Sequence, residues 1–291
     1  MRLKTDTALV PIAVLMVAMV CFQVGAAMAK GLFPIVGAAG TAALRLALAA
    51  IMLLAVWRPW RMRPNPHEMR VIVIYGLAMG FMNFCFYLSL RSIPLGIAVA
   101  LEFAGPLALA MAASRRAVDF AWILMATLGL LALLPLGLSS QPLDPVGVGY
   151  ALTAGLCWAL YIFFGRKAGA AHGGGTTALG MVIGAIVVAP IGAAQAGAQL
   201  FSPAILPAAL AVALVSSALP YSLEMLAMPK LPTRTVGVLM SLDPALAALS
   251  GSCFLGEHLS GIQWAAIASI MAASAGSAAT SRDAAPKLLP D

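Results

Sequence analysis

Three ionised side chains sit where the sequence otherwise allows almost none. The stretch "PLGIAVALEFAGPLALAMAASRR", Pro94 to Arg116, carries one charge, Glu102, among the nineteen residues from Leu95 to Ala113. Arg45 stands alone in the apolar run that follows Gly37, and Asp243 precedes Pro244 in "VGVLMSLDPALAALSG". An ionised group at mid-bilayer costs about 2.5–3.5 kcal/mol on insertion scales, so each must face a partner or a wet cavity. Two readings share this placement. In one, Arg45 and Glu102 form a buried structural ion pair, or Arg45 binds backbone carbonyls freed by Pro or Gly. In the other, both face a central cavity where a zwitterion inserts, Arg45 taking its carboxylate and Glu102 its ammonium. Glu102 is then also placed to carry a proton, whose binding would be coupled to substrate binding. Asp243 is either the partner of a helix break or a site residue. Glu224, close to Lys230 and Arg234 in sequence, reads as half of an interfacial salt bridge.

Polar aromatics and amides extend the candidate cavity: Gln23, Asn83, Tyr87, Trp158, Tyr161 and Tyr221. Taken singly, each also suits a packed helix contact or an interfacial anchor. Gly76/Gly80 and Gly180/Gly184 are GxxxG pairs, for which close helix packing is the default role. Prolines 94, 106, 220, 232 and 244 lack an N–H and free a carbonyl, which suits helices that bend. Cys21, Cys85, Cys157 and Cys253 lie in apolar blocks without CxxC spacing and read as packing residues, while His67, His172 and His258 are dispersed. The expectation is therefore no metal, no cofactor and no catalytic set, so an intramembrane enzyme is disfavoured.

The elements that must hold these charges are membrane helices. With 291 residues, 62% hydrophobic and 9% charged, at a mean hydropathy of +0.99, the chain lacks the polar surface of a water-soluble globule. Apolar blocks of about 20 residues recur, the length needed to cross a 30 Å hydrocarbon core, and they do not alternate as barrel strands would. The breaks predict ten spans near 8–29, 37–57, 71–90, 95–113, 120–138, 146–165, 177–195, 204–226, 235–254 and 260–280. The first is longer than a signal-peptide core and is expected to be retained. Arg58/Arg61/Arg63/Arg70, Arg115/Arg116, Arg166/Lys167 and Lys230/Arg234 then share one side with Arg2/Lys4 and Arg282/Lys287. The positive-inside rule makes that side the cytoplasm and places both termini there. It also accounts for the net charge of +7 without nucleic acid. Counted inward from the other face, Arg45 and Glu102 lie at a similar depth of roughly 10–12 Å.

The chain also echoes itself. "SIPLGIAVALEFAGPLALA" (Ser92 to Ala110) aligns with "KLPTRTVGVLMSLDPALAA" (Lys230 to Ala248), setting Pro94 over Pro232 and Pro106 over Pro244. "TAALRLAL" (Thr41 to Leu48) aligns with "TTALGMVI" (Thr176 to Ile183) in the same order. In this register Asn83 overlies Tyr221, Gln23 overlies Trp158, and Asp243 overlies Gly105. The expected fold is an all-α polytopic membrane protein of ten transmembrane helices in two five-helix repeats, residues 1–138 and 146–280, with a cytoplasmic tail over 281–291. Because five is odd, the repeats run in opposite directions, the usual build of a secondary transporter with a site at the repeat interface.

The stretches "PLGIAVALEFAGPLA", "SRRAVDF", "GLCWALYI", "ALPYSLEM" and "LPTRTVGVLMSLDPALAALSG" resemble the EamA branch of the drug/metabolite transporter superfamily over nearly the whole chain. The resemblance implies a ten-span efflux carrier of a bacterial inner membrane, driven by the proton gradient. Its cargo would be small hydrophilic amino acids of the threonine and homoserine kind. The family motif falls on Pro94 to Pro106, including Glu102, with its counterpart on Pro232 to Pro244. Where the matching stretch carries Glu before the proline, this chain has Asp243, keeping the acid on a shorter arm. Export of another metabolite or drug on the same scaffold is the nearest alternative, and a channel is the next. A zwitterionic cargo wants both Arg45 and Glu102, whereas an apolar cation needs only Glu102. The oligomeric state is left open by the sequence.

Overall fold

The computed structural model of the chain describes residues 5–112, 117–133 and 143–280, and among these every regular element is helical. Helix α1 (Thr5–Lys30) leads through a two-residue turn into α2 (Phe33–Trp57), which is broken internally at Gly37, φ 70°. After α3 (Pro66–Ser89), the fourth apolar run folds as two short helices, α4 (Leu95–Glu102) and α5 (Ala104–Ala112), followed by α6 (Ala117–Leu133). Long helices α7 (Pro145–His172) and α8 (Gly174–Ala196) come next. Then α9 (Leu206–Ala213) passes through a π-helical turn, Leu214–Ala218, into α10 (Leu219–Ala227). The ninth apolar run is again two helices, α11 (Thr233–Met240) and α12 (Asp243–Leu255), and α13 (Gly261–Thr280) closes the bundle.

Eight helical stretches are long and apolar enough to cross a membrane, and two shorter apolar ones run over Leu95–Leu109 and Phe120–Leu133. The predicted spans are therefore all helical where they are described, with two differences. The fourth and ninth are interrupted, at Phe103 and at Ser241–Leu242, because Pro106 and Pro244 deny a hydrogen bond to the turn before them. The eighth contains the π turn, whose widened ring sits immediately before Pro220. The fifth span's residues 134–138 lie outside the described residues, as do Arg2, Lys4, Arg115, Arg116, Arg282 and Lys287.

Local sequence sets the ends of these helices. Asn65 and Glu68 form a reciprocal capping box at the start of α3, each bond 2.8 Å, with Pro66 in the first turn. Asp144 caps α7 through the Val146 and Gly147 N–H groups at 3.2 and 3.1 Å. A hydrogen bond from Ser92, then these backbone bonds, hold its carboxyl below the usual carboxylate range. On the same face Lys30 Nζ pairs with Glu257 Oε1 at 2.7 Å, while Glu257 Oε2 accepts the Leu95 N–H at 2.8 Å. One carboxylate thereby joins the end of α1, the start of α4 and the turn after α12.

Packing runs pairwise: α2 along α8, α3 along α7 and α8, α1 along α10, α4 along α12, and α6 along α13. Without water to drive helices together, contact area depends on backbones approaching closely. The two GxxxG pairs supply this against each other. A Cβ added at Gly80 would stand 2.6 Å from Gly184 Cα, and one at Gly76 would stand 3.0 Å from the Gly180 carbonyl oxygen. Small residues here place α3 against α8 and so fix Asn83 and Tyr87 relative to α2.

Candidate functional site

Arg45, 5% exposed, projects from α2 into the centre of the bundle. Its Nε donates to Ser216 Oγ at 2.8 Å, its Nη2 to the Ser216 carbonyl at 2.6 Å, and its Nη1 to Asn83 Oδ1. The Ser216 carbonyl is available for a sequence reason: Pro220, four residues on, has no N–H to give it. Both partners are themselves anchored. Ser216 Oγ donates to the Val212 carbonyl at 2.6 Å and Asn83 Nδ2 to the Met79 carbonyl at 2.8 Å. The guanidinium also lies over the Tyr87 ring, 5.1 Å from its centroid. A guanidinium has five N–H donors. Three are engaged, so among the described residues one N–H on each terminal nitrogen has no protein acceptor, the fork that a carboxylate takes.

Glu102 is the last residue of α4, 8% exposed, beside the break at Phe103. Among the described residues its carboxylate makes no hydrogen bond and no ion pair, and Arg45 is not within 4.0 Å of it. The Arg45–Glu102 ion pair of the first reading is thus not formed. Arg45 instead follows the other branch of that reading and holds a proline-freed carbonyl. The two charges remain within electrostatic reach of each other, and Glu102 is also within reach of Asp243. The Glu102 backbone itself packs tightly on α7, where a Cβ on Gly155 would stand 2.4 Å from the Glu102 carbonyl oxygen. One turn on, Trp158 packs edge-on against Phe103, with ring centroids 5.4 Å apart.

Asp243 opens α12, 6% exposed, where an acid is favoured by the unpaired N–H groups of a helix start. It accepts a long hydrogen bond from Gln23 Nε2 on α1 at 3.4 Å. The sequence candidates therefore divide. Arg45, Asn83 and Tyr87 form one cluster, Gln23 and Asp243 a second, and Trp158 lies beside the Glu102 break. Tyr161 stacks on Tyr75, centroids 4.8 Å apart, and Tyr221 meets Phe22 edge-on at 5.0 Å.

Two residues depart from the sequence reading. Ser216 was not singled out, although a serine four residues before a proline in an apolar run is the signal for a freed carbonyl with a hydroxyl beside it. Glu224 departs from that reading in part: it is 5% exposed, it makes no salt bridge to the exposed Lys230, and it is within electrostatic reach of Asp243, while the Arg234 side chain lies outside what the structure describes. Its helix turns it inward, because Tyr221, one turn earlier on the same face, is buried as well. Among the described residues no group of three His, Cys, Asp or Glu is placed to hold a metal ion.

Membrane-length helices that break beside buried, incompletely paired charges define a polytopic transporter. Residues 145–278 match the EamA-like transporter family. The chain is 56% identical over 272 residues to the threonine/homoserine exporter RhtA of Salmonella typhimurium, covering 94% of this chain and 92% of that one. It is 54% identical to the protein of the same name from Escherichia coli, with the same coverage. The chain belongs to the EamA-like transporter family. A chain of known crystal structure shares the fold at 18% identity and a TM-score of 0.59, covering 94% of this chain and 96% of its own length.

Proposed function

We propose that this protein exports threonine, homoserine and similar small hydrophilic amino acids across a bacterial inner membrane by proton antiport. The observation that carries the reading is the complementarity of the two central charges. Arg45 offers two uncommitted N–H groups to a carboxylate, and Glu102, buried and unpaired, awaits an ammonium or a proton. An α-amino acid presents both charges a few ångströms apart, whereas an apolar cation would leave the Arg45 fork unused. The names of the relatives at 54–56% identity support the choice of cargo.

The architecture of this reading is ten spans in two inverted repeats, 1–138 and 146–280. Several features support it. Helices α4 and α11 begin after Pro94 and Pro232 and end at Glu102 and Met240, the same register as the sequence echo. Neighbour relations are exchanged as a two-fold axis requires: α3 against α7 corresponds to α10 against α1, and α7 against α5 corresponds to α1 against α12. The self-related pairs, α2 with α8 and α6 with α13, lie on the axis. Alternating access then rocks one repeat against the other around Arg45 and Glu102, with both termini and the 281–291 tail in the cytoplasm. Asp243, overlying Gly105 one turn from Glu102, serves as a second proton or ammonium site at the equivalent break. Substrate and proton exclude each other at Glu102, which is the requirement for antiport.

Counterflow in proteoliposomes tests this with labelled threonine and homoserine, with and without a pH gradient, on wild type and Glu102→Gln. The expected result is exchange by the wild type, accelerated by the gradient, and a variant blind to the gradient. Absence of threonine and homoserine exchange in the wild type sinks the cargo. Full, gradient-dependent export by Glu102→Gln sinks the proton role.

A further inference from the structure

Among the described residues, two fully enclosed side-chain oxygens have no hydrogen-bond partner in the protein, Tyr87 Oη and Ser217 Oγ. Both adjoin Arg45: Tyr87 carries the ring beneath its guanidinium, and Ser217 follows the serine that holds it. A buried hydroxyl is costly to leave unpaired, so each calls for a reason. Ser217 has a local remedy. A helical serine hydroxyl rotates onto the carbonyl four residues back, as Ser216 does to Val212 at 2.6 Å and Ser222 to Ala218 at 2.7 Å. Tyr87 has none. Its hydroxyl stands at the far end of a rigid ring, out of reach of its own backbone. That ring is wholly buried and hemmed in by Phe33, Phe86 and the Arg45 guanidinium carbon, at 6.1, 5.9 and 5.1 Å from its centroid. The partner of Tyr87 Oη is therefore a molecule that enters the bundle.

The chemistry around the ring indicates which. In the export reading the Arg45 fork takes the carboxylate of the cargo and Glu102 its ammonium, which leaves the side chain to be recognised. A phenolic hydroxyl both donates and accepts, and so does an aliphatic one. Threonine carries its hydroxyl on Cβ and homoserine on Cγ, adjacent carbons of one short side chain, so a single fixed group beside the carboxylate contact serves both. We propose that Tyr87 is the specificity-determining residue of this site, its hydroxyl pairing with the side-chain hydroxyl of the cargo, so that hydroxylated α-amino acids are taken in preference to their deoxy analogue. This rests on the export reading and on Arg45 as the carboxylate contact.

2-Aminobutyrate isolates the contact, because it is the deoxy analogue of threonine and of homoserine alike: it keeps their carboxylate, ammonium and carbon number and lacks the hydroxyl. Exchange of all three, each labelled, is measured in proteoliposomes. In kcat/KM the wild type is expected to favour threonine and homoserine over 2-aminobutyrate by at least about tenfold, and Tyr87→Phe to bring them within about twofold of it. Tyr87→Phe keeps the ring against Arg45 and removes an oxygen that has no protein partner, so its unfolding midpoint in detergent is expected at or above the wild-type value. A wild type that exchanges neither threonine nor homoserine refutes the export reading and this inference with it. With exchange established, the inference alone is overturned by a wild type without preference over 2-aminobutyrate, by a preference that survives Tyr87→Phe, or by a loss that falls equally on all three. A lowered midpoint overturns it too, since the hydroxyl would then serve the fold through water.

Discussion

At the scale of single residues, the central fact is that Arg45 is held by neutral groups. An arginine paired with a carboxylate would be electrically finished, whereas one held by a hydroxyl, an amide and a carbonyl keeps its full charge for a ligand. Its orientation depends on the planar fork, since three bonds leave in three directions toward Ser216 Oγ, Ser216 O and Asn83. Lysine keeps the charge and loses the fork. Arg45→Lys is therefore expected to insert and fold but to lower kcat/KM for threonine at least tenfold, about 1.4 kcal/mol, in vesicle uptake. An Arg45→Lys protein with wild-type uptake would show that charge alone suffices. Glu102 and Arg45 were legible in the sequence because a charge in an apolar run stands out against its background. Ser216 was not, since serines in membrane helices commonly bond their own backbone, and Ser216 does so too, to Val212.

At the scale of elements, the breaks matter more than the helices. Proline spacing showed that the fourth and ninth spans would bend, but the bend points, Phe103 and Ser241–Leu242, lie before the prolines, where the missing N–H leaves its carbonyl. What presses on those breaks comes from remote sequence: Gly155 and Trp158 of α7 at one, Gln23 of α1 at the other. The α3–α8 contact is a separate matter of volume. The backbone of Gly184 stands where a side chain on Gly80 would go, and backbone cannot rotate aside. Gly80→Ala is expected to destabilise the protein by about 1–3 kcal/mol, read as a lower unfolding midpoint in detergent, and to impair transport by displacing Asn83 and Tyr87 on the same helix. A wild-type midpoint would mean that α3 and α8 can separate without loss.

At the scale of the whole molecule, charge distribution and symmetry make one prediction. With the native cysteines removed, Trp60→Cys in the segment between α2 and α3 should react with an impermeant thiol reagent only from the cytoplasmic face. Phe201→Cys, after α8, should react only from the opposite face. Both wild-type side chains are exposed, so accessibility is not the limit. Labelling of both from one side would overturn the ten-span topology and the inverted repeat together.

Composition and spacing alone determined that this chain is helical and membrane-spanning, and that Arg45, Glu102 and Asp243 demand an explanation, because hydrophobic length and the cost of a buried charge are properties of the chain by itself. The tertiary structure decided which partner each charge received. Glu224 shows the difference most clearly. Near Lys230 and Arg234 in sequence it reads as half of an interfacial salt bridge, but the face that α10 turns inward, where it packs against α1, buries it on the same side as Tyr221. Partner choice is a matter of helix rotation and crossing, fixed by contacts between residues far apart in the chain, and no local pattern encodes it.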